Sequence, residues 1–366
     1  MRHTYITAIG TANPPFRISQ KNTADFMADI LHLNEAEARK MRVLYRATAI
    51  DYRYTVLEDY TRKGEFRFFP NSDELFPSTA QRMKVYQENA AKLSLAAIKD
   101  CWQHTELPLT SITHLITVSC TGMYAPGLDI EIIEQLGLPY STERTCINFM
   151  GCYAAFNALK VGDAICKSNP ESKVLIVDVE ICTIHFQKST LDDDLIANAI
   201  FADGAAAVLL ESKPSQGISL SLEAFYCDLA PNGRNEMAWY IKDYGFEMKL
   251  STYVPEILKE NTCELIKKLL NKLKLQLNDI QYFATHPGGR RILEVIEESL
   301  QISKEKNKAA YEVLRNYGNM SSATVLFVLK NLLYQFKVEN KNQNILSMAF
   351  GPGLTIESAL FKVHCS

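Results

Sequence analysis

Short apolar runs bounded by turn residues alternate with longer stretches of helical period along almost the whole chain. Tyr5–Gly10 reads as a strand, stopped by the Asn and Pro residues of 11–15. A helical pattern covers 20–38, residues 39–69 mix basic and aromatic side chains, and 70–82 read as a loop. Lys84–His104 is amphipathic, with Ala90, Leu93, Ala97 and Trp102 at helical spacing. Strand and helix then alternate: strand His114–Ser119, helix Ile130–Leu136 ended by Gly137 and Pro139, strand Arg144–Asn148, helix Tyr153–Ile165 and strand Lys173–Val179. Asp192–Asp194 reads as a solvated turn. Strands follow at Asp203–Leu210 and Ile218–Phe225, a helix at 255–274, and a strand at Tyr282–Thr285. The end of the chain predicts helices near 290–300, 305–315 and 320–336 and strands near 344–349 and 354–362. Such alternation with short connections predicts an α/β architecture whose helices cover both faces of the strands. No Pro/Gly/Ser-rich linker divides the chain, and no exact internal repeat is evident.

Composition narrows the picture. At 366 residues, length alone predicts roughly two domain-sized units. Hydrophobic residues at 47% and charged residues at 22% exclude disorder, collagen and a coiled coil. A net charge of −3 argues against a nucleic-acid-binding surface. No run approaches the ~18 apolar residues of a membrane span, and the N-terminal stretch lacks the apolar core of a secretory signal. The nine cysteines are scattered without a compact pattern and read as reduced thiols. A cytoplasmic globular protein is the simplest expectation.

Three blocks carry candidate chemistry. In 145–159 a strand-like piece passes through Gly151 into Cys152, which opens an Ala-rich helix; the helix dipole there favours the thiolate, although Cys152 also suits a buried core. In Phe283–Gly289, His286 stands where a strand hands over to a loop. In Tyr317–Leu326, Asn319 is either functional or the cap of the following helix. Cys182 and His185 have a C-x-x-H spacing, but no second ligand pair accompanies them.

Together and in order, these blocks resemble the thiolase superfamily and, within it, the type III polyketide synthases. The resemblance rests on Gly151-Cys152, His286-Pro287-Gly288-Gly289, Gly318-Asn319-Met320-Ser321-Ser322 and Gly351-Pro352-Gly353-Leu354-Thr355, with Ala349 in place of the usual Gly. It also takes in residues 9–14 and 201–205. It implies a five-layered αβαβα fold of two related halves, 1–216 with the nucleophile and 217–366 with His286 and Asn319. It implies a homodimer, an acyl-CoA starter and malonyl-CoA as substrates, and no metal or redox cofactor. Cys152 would carry the acyl chain, and His286 and Asn319 would hold the enolate left by decarboxylation.

The same resemblance places Cys120, Thr121, Ala125, Cys182, Ile184, His185, Phe201, Met248, Ser321, Phe350 and Pro352 around the substrate. Of the basic cluster Lys40, Arg42 and Arg46, only Lys40 matches a family position for CoA phosphates; Val43 and Ala47 replace the other two. Aromatic-starter enzymes of plants tend to have a Met reaching across the dimer where this chain has Ala125. With Thr121 and Cys182, this small residue implies a medium- or long-chain fatty acyl starter and an alkylpyrone or alkylresorcinol product. Cys120 and Cys182 also resemble relatives that build tetrahydroxynaphthalene from malonyl-CoA alone, and the bulk of His185 would narrow the cavity. A ketoacyl synthase III-like enzyme would read His-Gln-Ala-Asn where this chain has His-Pro-Gly-Gly, and a silent acyl-CoA-binding relative would not need the intact Cys, His and Asn.

Overall fold

The structure is a computed structural model that describes residues 3–70, 76–214 and 216–366. The chain runs β1 (Tyr5–Ala12), β2 (Phe16–Ser19), α1 (Gln20–Ile30), α2 (Glu35–Ala47), β3 (Tyr52–Thr55), α3 (Thr79–Cys101), β4 (His114–Ser119), α4 (Leu128–Leu136), β5 (Glu143–Asn148), α5 (Ala154–Ser168), β6 (Lys173–Ile181), α6 (Asp192–Ile200) and β7 (Asp203–Glu211). It continues with β8 (Ile218–Leu229), β9 (Met237–Lys242), β10 (Gly245–Leu250), α7 (Val254–Lys272), β11 (Ile280–Thr285), α8 (Arg290–Leu300), α9 (Lys308–Tyr317), α10 (Ala323–Leu333), β12 (Asn344–Gly351) and β13 (Thr355–Cys365).

Nine of these strands form one sheet in the order β11-β12-β13-β8-β1-β7-β6-β4-β5. Its two ends repeat one topology. In the first, β4 lies parallel to β6, β6 antiparallel to β7, and β7 antiparallel to β1. In the second, β11 lies parallel to β12, β12 antiparallel to β13, and β13 antiparallel to β8. The two sets join through a short β1–β8 pairing. The duplication that no sequence repeat displayed is therefore present in strand order.

Three apolar cores separate five layers. One lies between α3 with its neighbouring helices and the outer face of β4, β6 and β7. Another lies between α7, α8 and the strands β11, β12 and β13. The central core wraps α5 and α10, which touch strands of both halves. Small residues make this middle layer thin: Ala154, Ala155 and Ala158 on α5 and Ala323 on α10 are all fully buried.

The two ends of the sheet differ. At one end β5 pairs only with β4, and all of its residues except the half-buried Ile147 are exposed. At the other end β11 is packed by the 304–307 turn, whose Lys306 ammonium donates to the Ile280 carbonyl at 3.3 Å.

Several sequence expectations shift. The helical patterns expected over 20–38 resolve into two helices, because Asn34 and Glu37 form a capping box that starts α2. The 70–82 loop ends early, since Ser78 and Gln81 cap α3 from Thr79; residues 71–75 lie outside the described residues. Asp192–Asp194 is no turn but the first turn of α6, where three carboxylates face the positive end of the helix dipole. The β9–β10 hairpin and the β2–β3 pair were not anticipated.

Candidate active site

Cys152 is delivered by a tight passage from β5 into α5. Phe149 and Gly151 both take left-handed backbone, φ +63° and +92°, and a Cβ on Gly151 would stand 2.4 Å from Pro352 Cδ. Only glycine fits there. Cys152 follows, two residues before α5 begins, and is buried. Among the described residues its side-chain partner is the Ser321 hydroxyl, 3.8 Å from Sγ. Burial pushes the Cys152 thiol up to about 12; Ser321 eases it slightly, and the buried Glu180 and Asp178 add to the rise.

His286 follows β11 directly, its backbone N–H bonded to the Met348 carbonyl at 2.8 Å. The ring is buried, and among the described residues neither Nδ1 nor Nε2 has a partner. Burial lowers its pKa to about 3, so the isolated ring is neutral, with one N–H donor. Asn319 is fixed by what it accepts: its Oδ1 takes the Ser321 N–H at 2.9 Å and lies 3.5 Å from the Thr324 hydroxyl. That assigns the amide, so Nδ2 is the outward group, one hydrogen going to the Gly288 carbonyl at 3.2 Å. Asn319 is not the cap of α10, whose N-cap is Ser322. Its backbone instead bridges to the neighbouring half through Ile200 and Ala202, at 2.9 and 2.8 Å, on either side of Phe201.

Cys152, His286 and Asn319 line one cavity of about 360 Å³, with Phe201, Met248 and Phe350 among mostly apolar walls. Behind Cys152 a void of about 20 Å³ is lined by Cys120, Thr121, Cys182, Ser321 and Pro352. A further void of about 30 Å³ touches His185, and Trp239 and Met248 border both small voids. Trp239 was missed from sequence; its indole N–H donates to the Cys120 carbonyl at 2.8 Å and closes this end.

Other expected residues stand elsewhere. Ile184 packs fully buried in the outer core and lines none of these spaces. His185 is held structurally: Nδ1 accepts from the Phe246 N–H at 2.9 Å, which leaves Nε2 to donate to the Thr121 carbonyl at 2.7 Å. Both ring nitrogens are occupied, so the ring is fixed in place where it borders the small void beside Trp239 and Met248. Ala125 is exposed, on a loop that shares a surface depression with Cys146 and Asn148 of β5, and does not reach its own chain's cavity. Lys40, Arg42 and Arg46 do not line the cavity either, and Arg42 is paired with Asp25 at 2.8 Å. The open end is instead lined by Leu44 and Ala47 of α2, by Thr48 just past its end, and by Arg290 and Arg291 at the start of α8.

A duplicated αβαβα architecture with Cys, His and Asn converging from two halves defines the thiolase-like class of condensing enzymes. Sequence profiles of the chalcone and stilbene synthases match residues 2–214 for the N-terminal domain and 221–364 for the C-terminal domain. The chain belongs to this family, the type III polyketide synthases, which are acyltransferases that condense by Claisen chemistry. It is 30% identical over 367 residues to Type III polyketide synthase A of Arabidopsis thaliana, covering 98% of this chain and 92% of that protein. Probable polyketide synthase 1 of Dictyostelium discoideum is 30% identical over 372 residues, but this chain spans only 11% of that protein's length. The crystal structure of PKS-I from the brown alga Ectocarpus siliculosus superposes with a TM-score of 0.92 at 28% identity, covering 99% of this chain and 98% of that one.

Proposed function

We propose that this chain loads a medium- or long-chain fatty acyl group from CoA onto Cys152, extends it with malonyl-CoA, and releases an alkylpyrone or alkylresorcinol. The observation that carries the reading is the convergence of a thiol, an unpartnered imidazole and an outward amide NH₂ on one apolar cavity. Burial disfavours either charge alone, so the thiolate forms together with the imidazolium as the Cys152 proton passes to His286. The thiolate attacks the acyl thioester, and the departing CoA sulfur takes that proton back. His286 is then a neutral N–H donor beside the Asn319 amide. Malonyl-CoA loses CO₂, and its electron pair moves onto the thioester oxygen, where these two donors stabilise the enolate. The enolate carbon attacks the acyl-Cys152 carbonyl and frees the thiolate to receive the lengthened chain. In this reading the halves 1–216 and 217–366 divide the work, the first holding the acyl group and the second the developing charge.

CoA enters at the open end of the cavity, where Arg290 and Arg291, now paired with Glu294 and Glu298 at 2.7 and 3.0 Å, exchange these partners for its phosphates. The exposed β5 edge and the adjoining Ala125 loop support a homodimer in which each subunit presents Ala125 toward its neighbour. One observation favours a second reading, a small aromatic polyketide built from malonyl-CoA alone. Trp239 leaves only small voids beyond the catalytic cavity, a fit for a short chain.

Mass spectrometry of products from a panel of acyl-CoA starters with malonyl-CoA separates the two. Long-chain pyrones or resorcinols support the first, and a pentaketide from malonyl-CoA alone replaces it with the second. Peptide mapping after a quenched incubation should place the acyl mass on Cys152; acylation of Cys146 instead overturns both.

A further inference from the structure

Two carboxyls that the condensation does not use lie beneath the nucleophile. Asp178 and Glu180 sit on one face of β6, both 0% exposed. The Ser322 hydroxyl stands between them, 2.8 Å from Asp178 Oδ1 and 2.7 Å from Glu180 Oε1. A serine hydroxyl has one hydrogen, so it donates to one carboxyl, and the other contact needs a hydrogen of the carboxyl's own. Among the described residues no Lys, Arg or His bears on either group. Two buried anions so close and without a cation repel strongly, and the trio therefore holds one extra proton. Its resting place follows from the donors. Glu180 Oε2 also accepts the Cys120 N–H at 3.0 Å and the Thr121 hydroxyl at 2.8 Å, whereas Asp178 Oδ2 has no partner. Glu180 is the anion and Asp178 the acid.

We propose that Asp178, Ser322 and Glu180 form a single-proton relay that moves one buried negative charge toward or away from Cys152. This rests on the reading of Cys152 as nucleophile and makes Asp178 a positioning residue for charge. At rest the Asp178 carboxyl donates to Ser322 and Ser322 donates to Glu180. As the thiolate forms, Asp178 passes its proton to Ser322 Oγ while the Ser322 proton moves to Glu180 Oε1. Each hop breaks one O–H bond and makes another. The anion ends on Asp178, and Glu180, bonded to the Cys120 and Thr121 segment that shares a void with Cys152, is left neutral. Burial and mutual repulsion raise Asp178, and burial raises Glu180, as a shared proton requires. The other titratable groups facing the pair are Tyr86 of α3 and the thiols of Cys120, Cys152 and Cys182, all raised by burial and so uncharged.

The test is the pH dependence of Cys152 alkylation by iodoacetamide, without CoA thioesters. Asp178→Asn cannot release a proton, so Glu180 stays charged and the profile moves up by about one pH unit; Glu180→Gln moves it down by about as much. Any other pattern, such as Asp178→Asn moving it down or neither variant moving it, overturns the relay. Should either variant fail to fold, the infrared spectrum of the unmodified protein at neutral pH must still contain the carbonyl band of a protonated carboxylic acid. Its absence overturns the proposal. Malonyl-CoA extension by Cys152→Ala at the parent's rate would instead sink the nucleophile reading.

Discussion

At the scale of single residues, orientation matters more than identity. Asn319 would serve no enolate if its amide were turned round, and the Ser321 N–H prevents that. Asn319→Ala should therefore slow malonyl-CoA decarboxylation and extension by ~10²–10³ while leaving single-turnover acylation of Cys152 nearly intact. His286→Ala should depress both steps, because it also removes the acceptor of the thiol proton. Rapid-quench acylation set beside CO₂ release separates the two variants; equal loss of both steps in Asn319→Ala would reduce it to a structural residue. Local punctuation (a Gly before the thiol, Pro-Gly-Gly after the imidazole) marked these three side chains as candidates in the sequence. Each block left a structural reading open, and only their resemblance to the family, taken in order, implied their roles. The CoA-side residues were not legible. On α2, Leu44 and Ala47 share the cavity face with Thr48 just past its end, Lys40 lies one turn farther out on it, and Arg42 and Arg46 fall roughly opposite. Charge was visible in the sequence, but the face that carries it depends on how the helix is docked.

At the scale of elements, the β9–β10 hairpin decides where the cavity ends. It is two strands deep, so its stability comes from outside: His185 bonds the Phe246 N–H, stacks on the Phe246 ring at 4.3 Å and bonds back to Thr121. His185→Ala should lower the melting temperature by several degrees and let Trp239 reach water, read as a red shift in its fluorescence. An unchanged Trp239 spectrum would mean that the hairpin holds itself. Acid should act on the same clamp. Burial lowers the His185 pKa from 6.5 to about 3, so between those values the unfolded chain binds a proton that the folded one refuses. Its contribution is full above pH 6.5 and declines as pH falls toward 3; chemical denaturation at pH 7 and pH 5 should show less stability at the lower value, and less difference in His185→Phe. The hairpin escaped sequence reading because Tyr240, Ile241 and Tyr244 are exposed, which blurs the alternation of a half-buried strand. The central strands β6, β7 and β12 were legible for the opposite reason, since burial on both faces leaves near-continuous apolar runs.

At the scale of the whole molecule, the two halves cannot be separated, because α5 and α10 bury their faces against strands of both. The proposed dimer places its interface at β5. A charged residue in the middle of that edge, such as Cys146→Lys, should convert the proposed dimer to monomers in sedimentation velocity without a change in secondary structure; an undisturbed dimer would move the interface elsewhere. Ala125→Phe, on the loop beside β5, should then reduce use of long starters and spare short ones, an effect that disappears in the monomer.

The unequal ends of the nine-stranded sheet also set how far such assembly can go. A β-sheet with two open margins can recruit neighbours indefinitely, as fibrils do. Here Lys306 and the 304–307 turn occupy the margin at β11, and among the described residues of this sheet β5 is the margin left to accept another strand. Strand addition through this margin has a valence of one. Two copies that meet along it satisfy each other by a twofold operation and leave nothing for a third. In the proposed dimer the covered margin would make assembly self-limiting, a stopping rule written into one turn of backbone at the opposite end of the sheet.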